Sequence, residues 1–76
     1  MASVLDNRQF YNRIGQRLKL MRRKNGYTLT HMGNVLSISY QQYQKYEGGK
    51  SRPPLDKIYR LKHFYDIPYD DFFDGV

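Results

Sequence analysis

Seventy-six residues suffice for one small domain with a single core, and 39% apolar content leaves much of the burial to the aromatics, 16% of the chain. The absence of cysteine excludes disulfide staples and thiolate metal sites and suits a reducing cytoplasm. No apolar run approaches a membrane span and the opening "MASVLDNRQF" lacks a signal-peptide core, so a cytoplasmic protein with no membrane partner is expected.

The net charge of +6 is unevenly spread: +8 through Arg52 and −2 from Pro53 onward. A basic front and an acidic rear predict one polyanion-binding face. The whole chain, residues 1–76, reads as a single domain, with 1–7 a frayed start. Helical periodicity fills the rest, and no alternating run or Asn-Gly hairpin signals a strand. The predicted class is all-α, a compact five-helix bundle.

The first helix is predicted from about Arg8 to Asn25, stopped by Gly26. Thr28 caps a short second helix ending near Leu36. Ser39 caps a third, and Gln42 completes a capping-box pattern. The loop "GGKSRPP" ends it, Pro53 and Pro54 prepare a fourth helix to about Tyr65, and "IPYDDFFDG" gives a turn and one short helix. Steps of about 100° per residue select the inward faces. These are Ile14, Leu18 and Met21, then Met32, Val35, Leu36 and Ile38, then Leu55, Ile58, Leu61, Tyr65, Ile67 and Phe72. Lys62 falls on the fourth helix's stripe and must carry its charge to the rim.

The same geometry sorts "SYQQYQKYE", Ser39 to Glu47, into two faces. Tyr43 and Tyr46 turn inward, Gln41 and Lys45 outward with Gln44 beside them, and Tyr40 stands between. A short helix precedes this one across the turn "SIS", the spacing of a helix-turn-helix. Gln can pair with adenine and Lys with guanine in the major groove. Glu47 also turns inward, where a lone carboxylate is costly. Arg22 lies on the inner side of the first helix, and we expect the two to form a structural ion pair.

From about Ile14 to Phe73 the sequence resembles, without gaps, the Cro/cI-type helix-turn-helix domains of phage repressors and xenobiotic-response-element regulators. The resemblance rests on "IGQRLKLMRRKNGYT", "MGNVLSIS", "YQKYEGGKSRP", "LDKIYRL" and "IPYDDFF". It implies the lambda-repressor-like five-helix fold, dimeric binding to pseudo-palindromic double-stranded DNA, and transcriptional control. The Arg22–Glu47 pair and the small Gly33 are family features too. Departures are Leu29, where the family often has a phosphate-contacting Gln; Gly48-Gly49, where it usually has Asn-Gly; and Ser37, where it has glycine, a change the turn should accommodate easily.

The expected function is a sequence-specific duplex-DNA regulator, a repressor acting as a homodimer. Tyr40, Gln41, Gln44 and Lys45 would read bases. Arg13, Thr28, Leu29, Thr30, Lys50 and Arg52 would contact phosphates, at Leu29 through the backbone. Tyr59, Phe64, Tyr69 and Phe73 are candidate dimer contacts. Two alternatives are an antitoxin with a protein partner, and a protein-interaction module that has lost DNA binding. "GGKS" is not a P-loop, since Gln44 stands where its first glycine belongs. His31 and His63 are isolated, and Asp70-Asp71 opens a helix. No catalytic residue, metal, cofactor or small-molecule ligand is expected.

Overall fold

Four helices of this protein end in the same backbone device, and those endings set its architecture. The computed structural model describes residues 7–75. Among them are α1 (Asn7–Lys24), α2 (Leu29–Leu36), α3 (Tyr40–Glu47), α4 (Leu55–Tyr65) and α5 (Asp70–Phe73), and no strand. Asn7 already belongs to α1; the frayed start otherwise lies outside the described residues.

After α1 the Gly26 N–H donates to Arg23 O and the Tyr27 N–H to Arg22 O. Ser37 and Ile38 close α2 in the same way, as do Gly49 and Lys50 for α3 and Asp66 and Ile67 for α4. Each ending needs one left-handed residue. Gly26 supplies it freely, but Ser37 (φ 57°) and Asp66 (φ 55°) are not glycine. That conformation costs a residue with a Cβ about 1–2 kcal/mol. Ser37 therefore strains its turn rather than fitting it easily. The helix starts match expectation better: Thr28 Oγ1 accepts from the His31 N–H and Ser39 Oγ from the Gln42 N–H.

The core lies where α1, α2, α3, α4 and α5 converge, with Leu18, Met32, Leu36, Tyr43, Leu61 and Phe72 fully enclosed. Two glycines permit that convergence. A Cβ on Gly15 would sit 2.5 Å from the Tyr46 carbonyl oxygen, and one on Gly33 would sit 2.8 Å from that of Ile38. The first lets α1 rest on the end of α3; the second lets α2 and α3 close on each other.

Leu55 departs from expectation: it is 82% exposed. As the first residue of α4, directly after the Pro54 cap, it precedes the point where the stripe meets the core. Pro53 is buried in its stead. Lys62 is half-buried and places its ammonium 5.5 Å from the centre of the Tyr69 ring. Phe10 and Tyr27, outside the predicted set, pack against the core as well.

Asp66 offers a direct test of the strained endings, because an acid at a helix C-terminus also opposes the helix dipole. Asp66→Gly should stabilise the protein by about 1 kcal/mol, raising the melting temperature by roughly 4–8 °C. Thermal unfolding followed by circular dichroism measures it, and an unchanged or lower midpoint would refute the strain.

Candidate nucleic-acid interface

The third helix presents two chemically distinct faces. Tyr43 and Tyr46 are buried, their rings meeting edge to face at 6.5 Å. Gln41, Gln44 and Lys45 are exposed, and Tyr40 between the faces is 45% exposed. Gln41, Gln44 and Lys45 line one open concavity together with Gly48 and Lys50. An adjoining depression is lined by Lys19, Arg22 and Arg23 of α1, Leu29 of α2, and Gln44, Gly48 and the Arg22-bound Glu47. Amides and cations thus form one continuous surface on the outer side of α3.

Arg22 and Glu47 fix this surface to the core. Nε donates to one Glu47 oxygen at 2.7 Å and Nη2 to the other at 3.1 Å. Nη1 donates to the Tyr27 carbonyl at 3.0 Å, so a single guanidinium joins α1, the following loop and the end of α3. The side chains are only 12% and 5% exposed. The bond to Glu47 holds the Arg22 pKa above its ordinary value.

The Tyr43 hydroxyl is buried beside the Glu47 carboxylate without a hydrogen bond of normal geometry. Burial first, and then the Glu47 carboxylate, push its pKa upward. Tyr65, whose hydroxyl donates to Met32 Sδ, is pushed up to about 12, mainly by burial.

The expected phosphate contacts are distributed unevenly. Thr28 and Thr30 are exposed at the start of α2, although the Thr28 hydroxyl is already engaged as the cap. Leu29 is half-buried against the core and offers the surface only backbone and an apolar rim. Lys50 and Arg52 are exposed, with Arg52 5.2 Å over the Tyr11 ring. Arg13 is exposed elsewhere. It is one turn before Arg17 on α1, and Arg17 donates to the carbonyls of Asp71 and Asp74 around α5. Lys19 and Arg23, which the residue pattern did not single out, line the depression beside Leu29 and Gln44.

The four expected dimer rings each meet a different neighbour. Phe64 is half-buried and packs with Tyr27 and Tyr65, while Phe73 stacks on Phe10. Tyr69 lies under Lys62, and Tyr59 meets His63. Only Tyr59 is more than half exposed, at 56%.

Two short helices crossing at Gly33, the second with its polar face turned out, make a helix-turn-helix. Residues 15–76 match the family described as "Helix-turn-helix domain". The chain belongs to this family, in its Cro/cI-like form. This helix-turn-helix domain is 43% identical over 58 residues to an HTH-type transcriptional regulatory protein named from Pyrococcus abyssi, covering 75% of the chain and 18% of that protein. A namesake from Pyrococcus horikoshii is 40% identical over 60 residues, covering 78% and 19%. The SPbeta prophage-derived uncharacterized HTH-type transcriptional regulator YonR of Bacillus subtilis is 36% identical over 63 residues, covering 83% and 58%. The chain therefore spans about a fifth of the length of these archaeal relatives and somewhat over half that of the bacterial one.

Substitutions at Arg22, Glu47 and Tyr43 probe the buried centre. Glu47→Ala strands the Arg22 guanidinium and should destabilise by about 3 kcal/mol. A double-mutant cycle with Arg22→Ala should then show coupling of at least about 1 kcal/mol, and additivity in denaturant titrations would contradict the pair. Tyr43→Phe removes a hydroxyl without a hydrogen bond of normal geometry and should stay within about 1 kcal/mol of the parent, whereas Tyr43→Ala should lose about 3–5 kcal/mol. Because the folded pKa of Tyr43 is raised above its unfolded value, its contribution is fully present below about pH 10 and declines as pH rises further. Alkaline unfolding curves should accordingly be shallower for Tyr43→Phe, and identical slopes would show that Tyr43 does not couple to folding there.

Proposed function

We propose that this protein is a sequence-specific duplex-DNA-binding regulator that binds a pseudo-palindromic operator as a homodimer and represses transcription in the cytoplasm. The observation that carries the reading is the outer face of α3. Gln41, Gln44 and Lys45 stand together and exposed, next to Lys50, on a helix whose other face is locked into the core. A helix so held can enter a major groove without unfolding the domain. Gln41 and Gln44 supply amides suited to adenine, Lys45 an ammonium suited to guanine, and Tyr40 a ring edge for a thymine methyl or a phosphate.

Phosphates would be met on both sides of that helix. Lys50 and Arg52 follow it, Lys19 and Arg23 flank it from α1, and the backbone N–H groups of Thr28, Leu29 and Thr30 open α2 toward it. Leu29 gives up a side-chain contact at this last point, and the cations of α1 compensate. The names of the relatives, transcriptional regulators, agree with this reading.

Binding to random duplex should weaken roughly 10³-fold between 50 and 200 mM salt if about six phosphates are neutralised. A flat salt response would overturn DNA binding. Lys19→Ala and Arg23→Ala should each lower the salt slope by about one, while Arg13→Ala should leave it unchanged. After selection of bound sequences from a random library, Gln41→Ala should relax preference at one base pair by about 1–3 kcal/mol with the melting temperature intact. Retained specificity would remove Gln41 from the readers.

A further inference from the structure

The outer face of α4 is unpartnered, and its side chains are arranged in a self-complementary order. Asp56, Tyr59, Arg60 and His63 occupy one helical stripe, all are exposed, and together they line a shallow groove. Place a two-fold axis across the helix between Tyr59 and Arg60. Residues whose numbers mirror each other about that point then face one another in two antiparallel copies. Asp56 meets His63 of the second copy, and Tyr59 meets its Arg60. The first is a carboxylate facing an imidazole, which can donate to it whether neutral or charged. The second is an aromatic ring facing a guanidinium. Both pairs occur twice by symmetry, and neither sets like charges against each other.

We infer that a second copy of this chain docks on α4 in this antiparallel register, through Asp56–His63 and Tyr59–Arg60 contacts across the two-fold axis. The inference rests on the homodimeric reading above and replaces its scattered rings with one surface. Local geometry favours it. Arg60 is held in place by long hydrogen bonds from Nη1 to Val35 O (3.5 Å) and Ser37 Oγ (3.3 Å), and the Tyr59 ring is propped by His63 at 4.5 Å. Lys57 and Lys62, which would oppose each other in this register, are engaged within their own copy: Lys57 donates to Leu36 O at 3.0 Å and lies 3.6 Å from the exposed Asp56 carboxylate, and Lys62 sits on Tyr69. A contact confined to one helix of 11 residues is small. It predicts a weak dimer, with firm pairing only when DNA holds both copies.

The test is a charge swap read by sedimentation equilibrium of the full chain. Asp56→Lys places a lysine opposite His63 and beside Arg60 at both ends of the interface and should weaken self-association by about tenfold or more. The double variant Asp56→Lys/His63→Asp inverts the pair and should restore association to near the parent value. Both variants carry the same lysine in the first turn of α4, and the double variant adds an acid in its last turn, so any loss of helix stability there works against rescue and cannot mimic it; thermal melts verify that both fold. A parent that stays monomeric at the highest soluble concentration, an Asp56→Lys variant that associates normally, or a double variant that is not rescued would each overturn the proposal. Binding of the same three proteins to random duplex is measured in parallel. Salt-dependent binding by a monomeric parent would refute this interface while leaving DNA binding intact, whereas loss of binding by all three would refute the functional reading itself.

Discussion

One guanidinium organises this domain. Arg22 spends Nε and Nη2 on Glu47 and Nη1 on the Tyr27 carbonyl, joining the first helix, the loop behind it and the end of the third helix at one point. A buried ion pair is a poor source of net stability, since desolvation consumes most of the Coulombic gain. Its effect is on geometry. The carboxylate is the last residue of α3, so its bond to α1 fixes how that helix is rotated about its own axis. Gly15 makes this possible by leaving room for the Tyr46 and Glu47 carbonyls against α1. With rotation fixed, Tyr43 and Tyr46 face the core, and Gln41, Gln44 and Lys45 have only solvent, or a ligand, to face.

That much was legible in the sequence, because α3 is short, capped at Ser39 and regular throughout. On such a helix a wheel drawn from residue spacing assigns faces correctly, and two opposite charges on inner faces predict each other. Legibility fails where position depends on how the chain enters or crosses an element. Leu55 obeyed the spacing but sits ahead of the point where α4 reaches the core. Phe64 looked free because its neighbour Tyr27 lies in a loop, which periodicity cannot place. Arg13 and Lys19 are both basic residues on α1, and only the positions of α3 and α5 decide which is near the reading face. Arg17 binds backbone carbonyls around α5, and acceptors of that kind carry no signature in a sequence.

The turn between α2 and α3 is supported from behind in a similar way. Lys57 donates to Leu36 O, and Arg60 reaches Val35 O and Ser37 Oγ, so two cations of α4 answer the last carbonyls of α2. Cations at a helix C-terminus are favourable electrostatically. Here they also brace Ser37 in a left-handed conformation that glycine would adopt without help.

This use of cations changes the meaning of the uneven charge. The rear of the chain holds Lys57, Arg60 and Lys62: Lys57 and Lys62 are occupied inside the fold, on α2 and on the Tyr69 ring, and Arg60 leans on α2 through long bonds while staying exposed. Asp66, Asp70, Asp71 and Asp74 remain exposed there. The front differs: Lys19, Arg23, Lys45 and Lys50 are all exposed and border the concavities beside α3. The segregation of free charge is therefore sharper than the residue count suggests. A polyanion approaching from any direction experiences a field that turns the domain front first.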